Sequence, residues 1–151
     1  MTGRMADKVA IVTGGASGIG KSCCLRFAKE GAQLVVADIN LERAVAVADE
    51  IEKAGGRATA VAVDTSIPEE VDAMANSAIE VFGRLDACVA AAGISHAGYV
   101  SREADQQASQ DRHDRQDMLL IEKSLTNWQR VLDVNLTGVM LTNQSVAKHM
   151  V

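Results

Sequence analysis

An apolar run, Val9-Ala10-Ile11-Val12, passes without a linker into Thr13-Gly14-Gly15-Ala16-Ser17-Gly18-Ile19-Gly20, and no other stretch limits the possible folds as much. Apolar residues followed by closely spaced glycines place a tight turn between a buried strand and a helix. Glycine takes positive φ without steric penalty and lets the backbone come close to a ligand. A helix that starts at such a turn points unpaired N–H groups, and the positive end of its dipole, at whatever lies above it. The arrangement suits the pyrophosphate of a dinucleotide.

The rest of the chain repeats that first unit. Apolar, β-branched runs recur at 9–12, 34–37, 58–63 and 85–92, and the segments between them, 18–29, 41–54 and 68–82, have helical periodicity. The helical segments stop at Gly31, Gly55-Gly56 and Gly83, and Pro68 stands where a first helical turn tolerates proline. Runs that are apolar throughout, rather than alternating, require burial on both faces. This predicts an α/β fold: a Rossmann-like, doubly wound parallel sheet covered by helices on each side. Beyond the fourth run the pattern lapses. Residues 101–117 hold no aliphatic side chain larger than alanine, so a polar insertion near 96–124 is expected, either solvated or serving as a lid on the substrate side. Apolar residues return at 118–121. A long amphipathic helix from about 126 to 150 then carries Trp128, Val131, Leu132, Asn135, Val139 and Thr142 near helical spacing.

Composition narrows the function classes. With 151 residues, 48% of them hydrophobic and 23% charged, the chain supports one core, and a single domain over 1–151 is expected. A net charge of -5 with scattered Lys and Arg offers no attraction to nucleic acid or to anionic lipid, so neither is expected as a partner. The only apolar stretch ahead of the glycines is too short for a signal-peptide core or a bilayer span, which implies a cytoplasmic protein. Cys23, Cys24 and Cys88 lack metal-ligand spacing and read as reduced, packing thiols; His96, His113 and His149 lack it too, and no metal site is expected.

An acidic residue completes the nucleotide signal. Asp38 ends the second run, twenty positions after Gly18, which is close to the separation of a ribose-binding acid from a glycine turn. The glycine spacing is T-G-x-x-x-G-x-G. With Asp64-Thr65 after the third run, Ala91-Ala92-Gly93 after the fourth, and Val134-Asn135-Leu136-Thr137-Gly138 in the long helix, the chain resembles the short-chain dehydrogenase/reductase family over nearly all its length outside 96–124.

That resemblance implies roles. Gly14, Ser17, Gly18, Ile19 and Gly20 would shape the loop around the pyrophosphate, and Asp38, with Ile39 beside it, would receive the adenosine ribose. Asp64 and Thr65 would lie near the adenine; Ala91, Ala92 and Gly93 would meet the cofactor through the backbone. Plainer readings are a solvated carboxylate at Asp38 and a turn or helix-capping carboxylate at Asp64. An uncompensated carboxylate at position 38 repels a 2′-phosphate, and no Lys or Arg lies between Thr13 and Gly20, so NAD rather than NADP is the expected cofactor. Asn135 interrupts an apolar helical face, and its amide calls for a hydrogen-bond partner. In the family an Asn here belongs to a catalytic tetrad, bending the helix and holding a water in a proton relay.

Two departures stand out. The family carries Asn-Asn-Ala-Gly after the fourth strand, where this chain reads Ala90-Ala91-Ala92-Gly93, so side-chain bracing of the sheet is in question. The family's proton-donating Tyr, in its Tyr-x-x-x-Lys motif, and the preceding Ser that hydrogen-bonds the substrate oxygen are absent as well. Tyr99 is the lone tyrosine, it precedes Asn135, and Glu103 rather than Lys stands four residues on. Protonating a developing alkoxide needs such an acid, so the chain as written is expected to be inactive. A full sheet of this kind needs more βα units, roughly a hundred further residues, and the chain reads as an N-terminal portion. The fourth strand then forms an apolar edge, and the isolated chain is expected to associate.

In complete form the expectation is an NAD-dependent oxidoreductase acting on a small-molecule alcohol or carbonyl substrate, a homo-dimer or homo-tetramer pairing through the long helix. The alternatives are a non-catalytic NAD-binding module and a truncated relic.

Overall fold

The computed structural model describes residues 3–95 and 124–150. The insertion expected near 96–124, with Tyr99, His96, His113 and the apolar residues 118–121, lies outside them apart from Ser124. Seven elements alternate over the first part: β1 (Val9–Thr13), α1 (Gly18–Lys29), β2 (Gln33–Asp38), α2 (Leu41–Lys53), β3 (Arg57–Ala62), α3 (Pro68–Phe82) and β4 (Ala87–Ala90). The second part holds α4 (Leu125–Leu132), a π-helical segment (Asp133–Thr137) and α5 (Gly138–Ala147).

All strand pairs are parallel and the order is β3-β2-β1-β4. Ile11 of β1 stands opposite Val35 of β2 on one side and Cys88 of β4 on the other. The chain first steps from β1 outward to β3, then returns over α3 to place β4 against the opposite side of β1. This reversal opens a crevice at the carboxyl ends of β1 and β4, the place where open α/β sheets take ligands.

Alternation along each strand divides the core in two. Val9, Ile11, Val35 and Ala37 face α3 and α5, meeting Val71, Met74, Ala78 and Val146. Ala10, Val12, Leu34 and Val36 face α1 and α2, meeting Cys24, Ala44, Val47 and Ile51. Every residue of β1 is buried, which is why its sequence is apolar without alternation.

The elements begin and end close to where the residue types place them, with two differences. The fourth run, read as a strand over 85–92, pairs over only four residues. Asp86 spends its carboxylate on the N–H of Val9, while the N–H of Ala91 folds back to the Val89 carbonyl at 3.1 Å and ends the strand. The long helix is likewise not uniform, because the five-residue π-helical segment interrupts it at Asn135. Among the described residues β4 has a strand neighbour on one side only, and all four of its residues are half-buried.

Candidate functional site

β1 delivers Thr13 to the crevice, and the backbone then reverses through Gly14, whose φ is 64°. A Cβ at Gly14 would lie 2.8 Å from the Ala91 carbonyl oxygen and 2.9 Å from Ala92 Cα, so the loop is packed against the chain leaving β4. A Cβ at Gly20 would collide with the Gly14 carbonyl, so α1 approaches the loop to a distance only glycine permits. Ser17 caps α1 in extended conformation without using its hydroxyl, and the ladder begins with Lys21 N–H donating to the Ser17 carbonyl at 3.0 Å. The N–H groups of the first turn therefore have no partner within the helix, and Ser17, Gly18 and Ile19 are exposed beside them. An anion here would meet backbone donors, a free hydroxyl and the positive helix end.

Asp38 closes the next corner. Only 8% exposed, its carboxylate accepts from Ala16 N–H at 3.1 Å and from Asn40 N–H at 3.0 Å. Each oxygen keeps a second lone pair for a ligand hydroxyl. Asn40 in turn caps α2 by accepting from Arg43 N–H at 3.0 Å. At the end of β3, Asp64 makes a local turn: its Oδ1 accepts from Ser66 N–H at 3.0 Å and from the Ser66 hydroxyl at 2.6 Å. It is a turn residue and does not cap α3, whose capping position is Ile67.

The missing amides after β4 have a substitute in Thr13. Buried in the sheet, its hydroxyl accepts from Ala92 N–H at 3.2 Å and braces the chain leaving β4. Asn135 braces the next residues: its Oδ1 accepts from Ile94 N–H and its Nδ2 donates to the Ile94 carbonyl, both at 2.8 Å. The amide thus finds a partner for its oxygen and for its nitrogen 41 residues away, although the residue itself is exposed rather than buried. A Cβ at Gly93 would lie 3.3 Å from Asn135 Oδ1, so the two segments touch.

These corners enclose one cavity of about 400 Å³. The structure brings together on its wall Gly14, Ser17, Gly18, Ile19 and Gly20, then Asp38 and Ile39, Asp64 and Thr65, and Ala91, Ala92 and Gly93. Asn135 is not on that wall; it stands behind Ile94, which is. Sequence reasoning missed Val63, Ile94, Arg130 and Val134. Ile94 follows directly on Gly93. Arg130 and Val134 are four apart and share a helix face, a spacing that an apolar pattern alone passes over because one member is charged.

Two of the three thiols are held in the protonated form. Burial, reinforced by the neighbouring Cys23, pushes the Cys24 thiol up to about 12, and burial pushes Cys88 to about 11, so both stay protonated. Among the described residues no three His, Cys, Asp or Glu side chains gather as a metal site, and no helix is long and apolar enough to cross a membrane.

Comparison with known proteins agrees with this geometry. A model of the family described as short chain dehydrogenase matches residues 8–151. The chain is 39% identical over 139 residues to a cyclohexanol dehydrogenase of Acinetobacter sp., covering 92% of this chain and 48% of the relative. It is 37% identical over 150 residues to a 3-alpha-(or 20-beta)-hydroxysteroid dehydrogenase of Mycobacterium tuberculosis, covering 99% of this chain and 49% of the relative. Among solved structures, a dehydrogenase/reductase from Sinorhizobium meliloti superposes with a TM-score of 0.80 at 33% identity, over 96% of this chain and 50% of that one. The chain spans about half the length of the relatives it matches.

Proposed function

The chain belongs to the short-chain dehydrogenase family, and from that premise we propose that it is the cofactor-holding part of an NAD-dependent oxidoreductase acting on an alcohol or carbonyl substrate. The observation that carries this reading is Asp38, a carboxylate at the tip of β2 that shares a cavity wall with the glycine loop. The loop's free N–H groups and the Ser17 hydroxyl hold the pyrophosphate; Asp38 accepts from the adenosine ribose. Ile39 and Asp64 flank the adenine, Thr65 stands beside them, and the backbone of Ala91, Ala92 and Gly93 guides the cofactor towards the crevice at β4. A bound nicotinamide supplies the hydride acceptor or donor.

The charge at Asp38 favours NAD. A 2′-phosphate would approach a carboxylate with little access to water, and the one cation on the described cavity wall, Arg130, rises from α4 rather than from the segments flanking Asp38. Asn135 holds Ile94, a residue of the cavity wall, and it is the residue we assign to the proton relay. The relatives are named for cyclohexanol and for hydroxysteroids, which supports a secondary alcohol as substrate class. Leu125, Trp128, Leu136 and Met140 are exposed along α4 and the helical turns after it, a surface that supports pairing of the long helix into a homo-dimer or homo-tetramer.

Proton transfer is the missing chemistry. Among the 151 residues the lone tyrosine is followed four positions on by Glu103, so the chain alone holds cofactor without turnover. The runner-up is a non-catalytic NAD-binding module. Both are tested by following reduced nicotinamide with NAD and cyclohexanol, using the 151-residue chain and the protein isolated from its natural source. Turnover by a longer natural protein, with binding but no turnover by the chain, is expected. Turnover by the chain itself contradicts the account, and a natural protein of this same mass that binds NAD without turnover selects the module.

A further inference from the structure

The carboxylate of Asp38 is engaged with the backbone before any ligand is present. Oδ2 accepts from Ala16 N–H and Oδ1 from Asn40 N–H, so one side chain joins the glycine loop to the start of α2. The main chain nearby is tied in the same way. Gly15 N–H donates to the Ala37 carbonyl and Val63 N–H to the Asp38 carbonyl, each at 3.0 Å. Ala16 lies between the last loop residue anchored to the sheet, Gly15, and the first exposed residue of the anion site, Ser17. Among the described residues no backbone bond from the sheet reaches beyond Gly15 into that site; the Asp38 carboxylate does.

We propose that Asp38 is a positioning residue for the phosphate loop, a latch that sets the direction of Ser17 and the amides after it in the ligand-free protein. A loop of this glycine content has many conformations to lose, and a carboxylate bound to a backbone N–H at a site only 8% exposed is a strong restraint on it. The latch couples two properties usually treated as separate. A neutral residue at position 38 removes the repulsion of a 2′-phosphate and at the same time loosens the loop that must hold the pyrophosphate. Exchange of Asp38 alone therefore does not convert the site to the phosphorylated cofactor. The inference rests on the cofactor reading for what the loop is held to bind, and stands apart from it for the latch itself.

Asp38→Leu matches the shape of the carboxylate and accepts no hydrogen bond; Asp38→Ala is the second variant if leucine prevents folding. Amide exchange of the ligand-free 151-residue chain reads the latch, with the β1–β2 ladder amides as the folding control. Titrations with adenosine and ADP read its consequence, since only ADP uses the phosphate loop. The expected result is exchange at Ala16 faster by about tenfold or more with the ladder unchanged, and a loss of ADP affinity exceeding the loss for adenosine by a similar factor. Unchanged exchange at Ala16 in a variant with an intact ladder overturns the proposal, as does an equal loss for the two ligands. Faster exchange at Ala16 in a protein whose native form binds neither ligand keeps the latch and discards the cofactor reading.

Discussion

The corner made by β1, the glycine loop, α1 and β2 differs from the edge made by β4, α4 and α5. In the corner every residue of β1 is buried, the loop touches its neighbours through backbone, and Asp38 ties three segments together. At the edge the four residues of β4 are half-buried, and Leu136 is 66% exposed in the helix above it. The corner sets exposed residues at the start of α1 and the Asp38 carboxylate on one cavity wall. The edge contributes Ile94 and Asn135, held by one pair of hydrogen bonds. On the proposed reading, binding and chemistry are separable in this chain, because the cofactor is held by backbone segments centred on the corner, with β3 and β4 completing the wall, and proton transfer needs groups that they do not supply.

Substitutions can break that contrast, and the largest effect belongs to the centre of the sheet. Ile11 is fully buried between two strands and beneath the α3 and α5 layer, and Ile11→Ala is expected to cost about 2–5 kcal/mol in a denaturant melt. A loss under 1 kcal/mol would mean that the centre is packed no better than the edge. Next comes Gly20→Ala, which forces α1 away from the Gly14 carbonyl; about 1–3 kcal/mol of stability and most of the nucleotide affinity should go together. Retained affinity would show that the loop does not need that close approach.

Asn135→Ala removes both bonds to Ile94 and should cost about 1 kcal/mol, because the site is exposed and water replaces the amide. Amide exchange should quicken at Ile94 and stay unchanged at Ala16, which sharpens the contrast between edge and corner. A smaller effect follows pH. Asp86 is held well below the usual carboxylate range, chiefly by hydrogen bonds from Arg84, with Val9 N–H and Lys8 adding to them. Its folded pKa lies below its unfolded one, so its contribution is fully present above the unfolded value of about 4 and is lost progressively as the pH falls from there through the lower folded value. Asp86→Asn should flatten the acid limb of a stability profile while leaving its neutral limb level; an unaltered acid limb would assign it elsewhere. Smallest of all, Leu136→Ala should change stability by no more than about 0.5 kcal/mol. A larger loss in the isolated chain would mean that this face is covered in solution.

The corner was the more legible region in the sequence. An apolar run, a glycine turn and an acid at a fixed distance are local signals, and they place β1, α1 and β2 within a residue of where they lie. The same locality explains what escaped. The partner of Asn135 is Ile94, 41 residues away, and nothing in either neighbourhood announces the pair. The π-helical segment leaves no mark on an apolar pattern read at a period of 3.6, since it changes the hydrogen-bond step rather than the residue types. Thr13 reads as the last residue of a strand, and its bracing of Ala92 depends on β4 lying beside β1, which only the sheet order supplies. Arg130 was passed over because a charged residue on an amphipathic helix ordinarily belongs to its solvated face.

The most direct test of the central claim is a calorimetric titration of the chain with NAD and with NADP under the same buffer and salt. The account predicts that NAD binds and that NADP binds at least about tenfold more weakly, because its 2′-phosphate must approach the Asp38 carboxylate. Equal or tighter binding of NADP, or no binding of either, would contradict it.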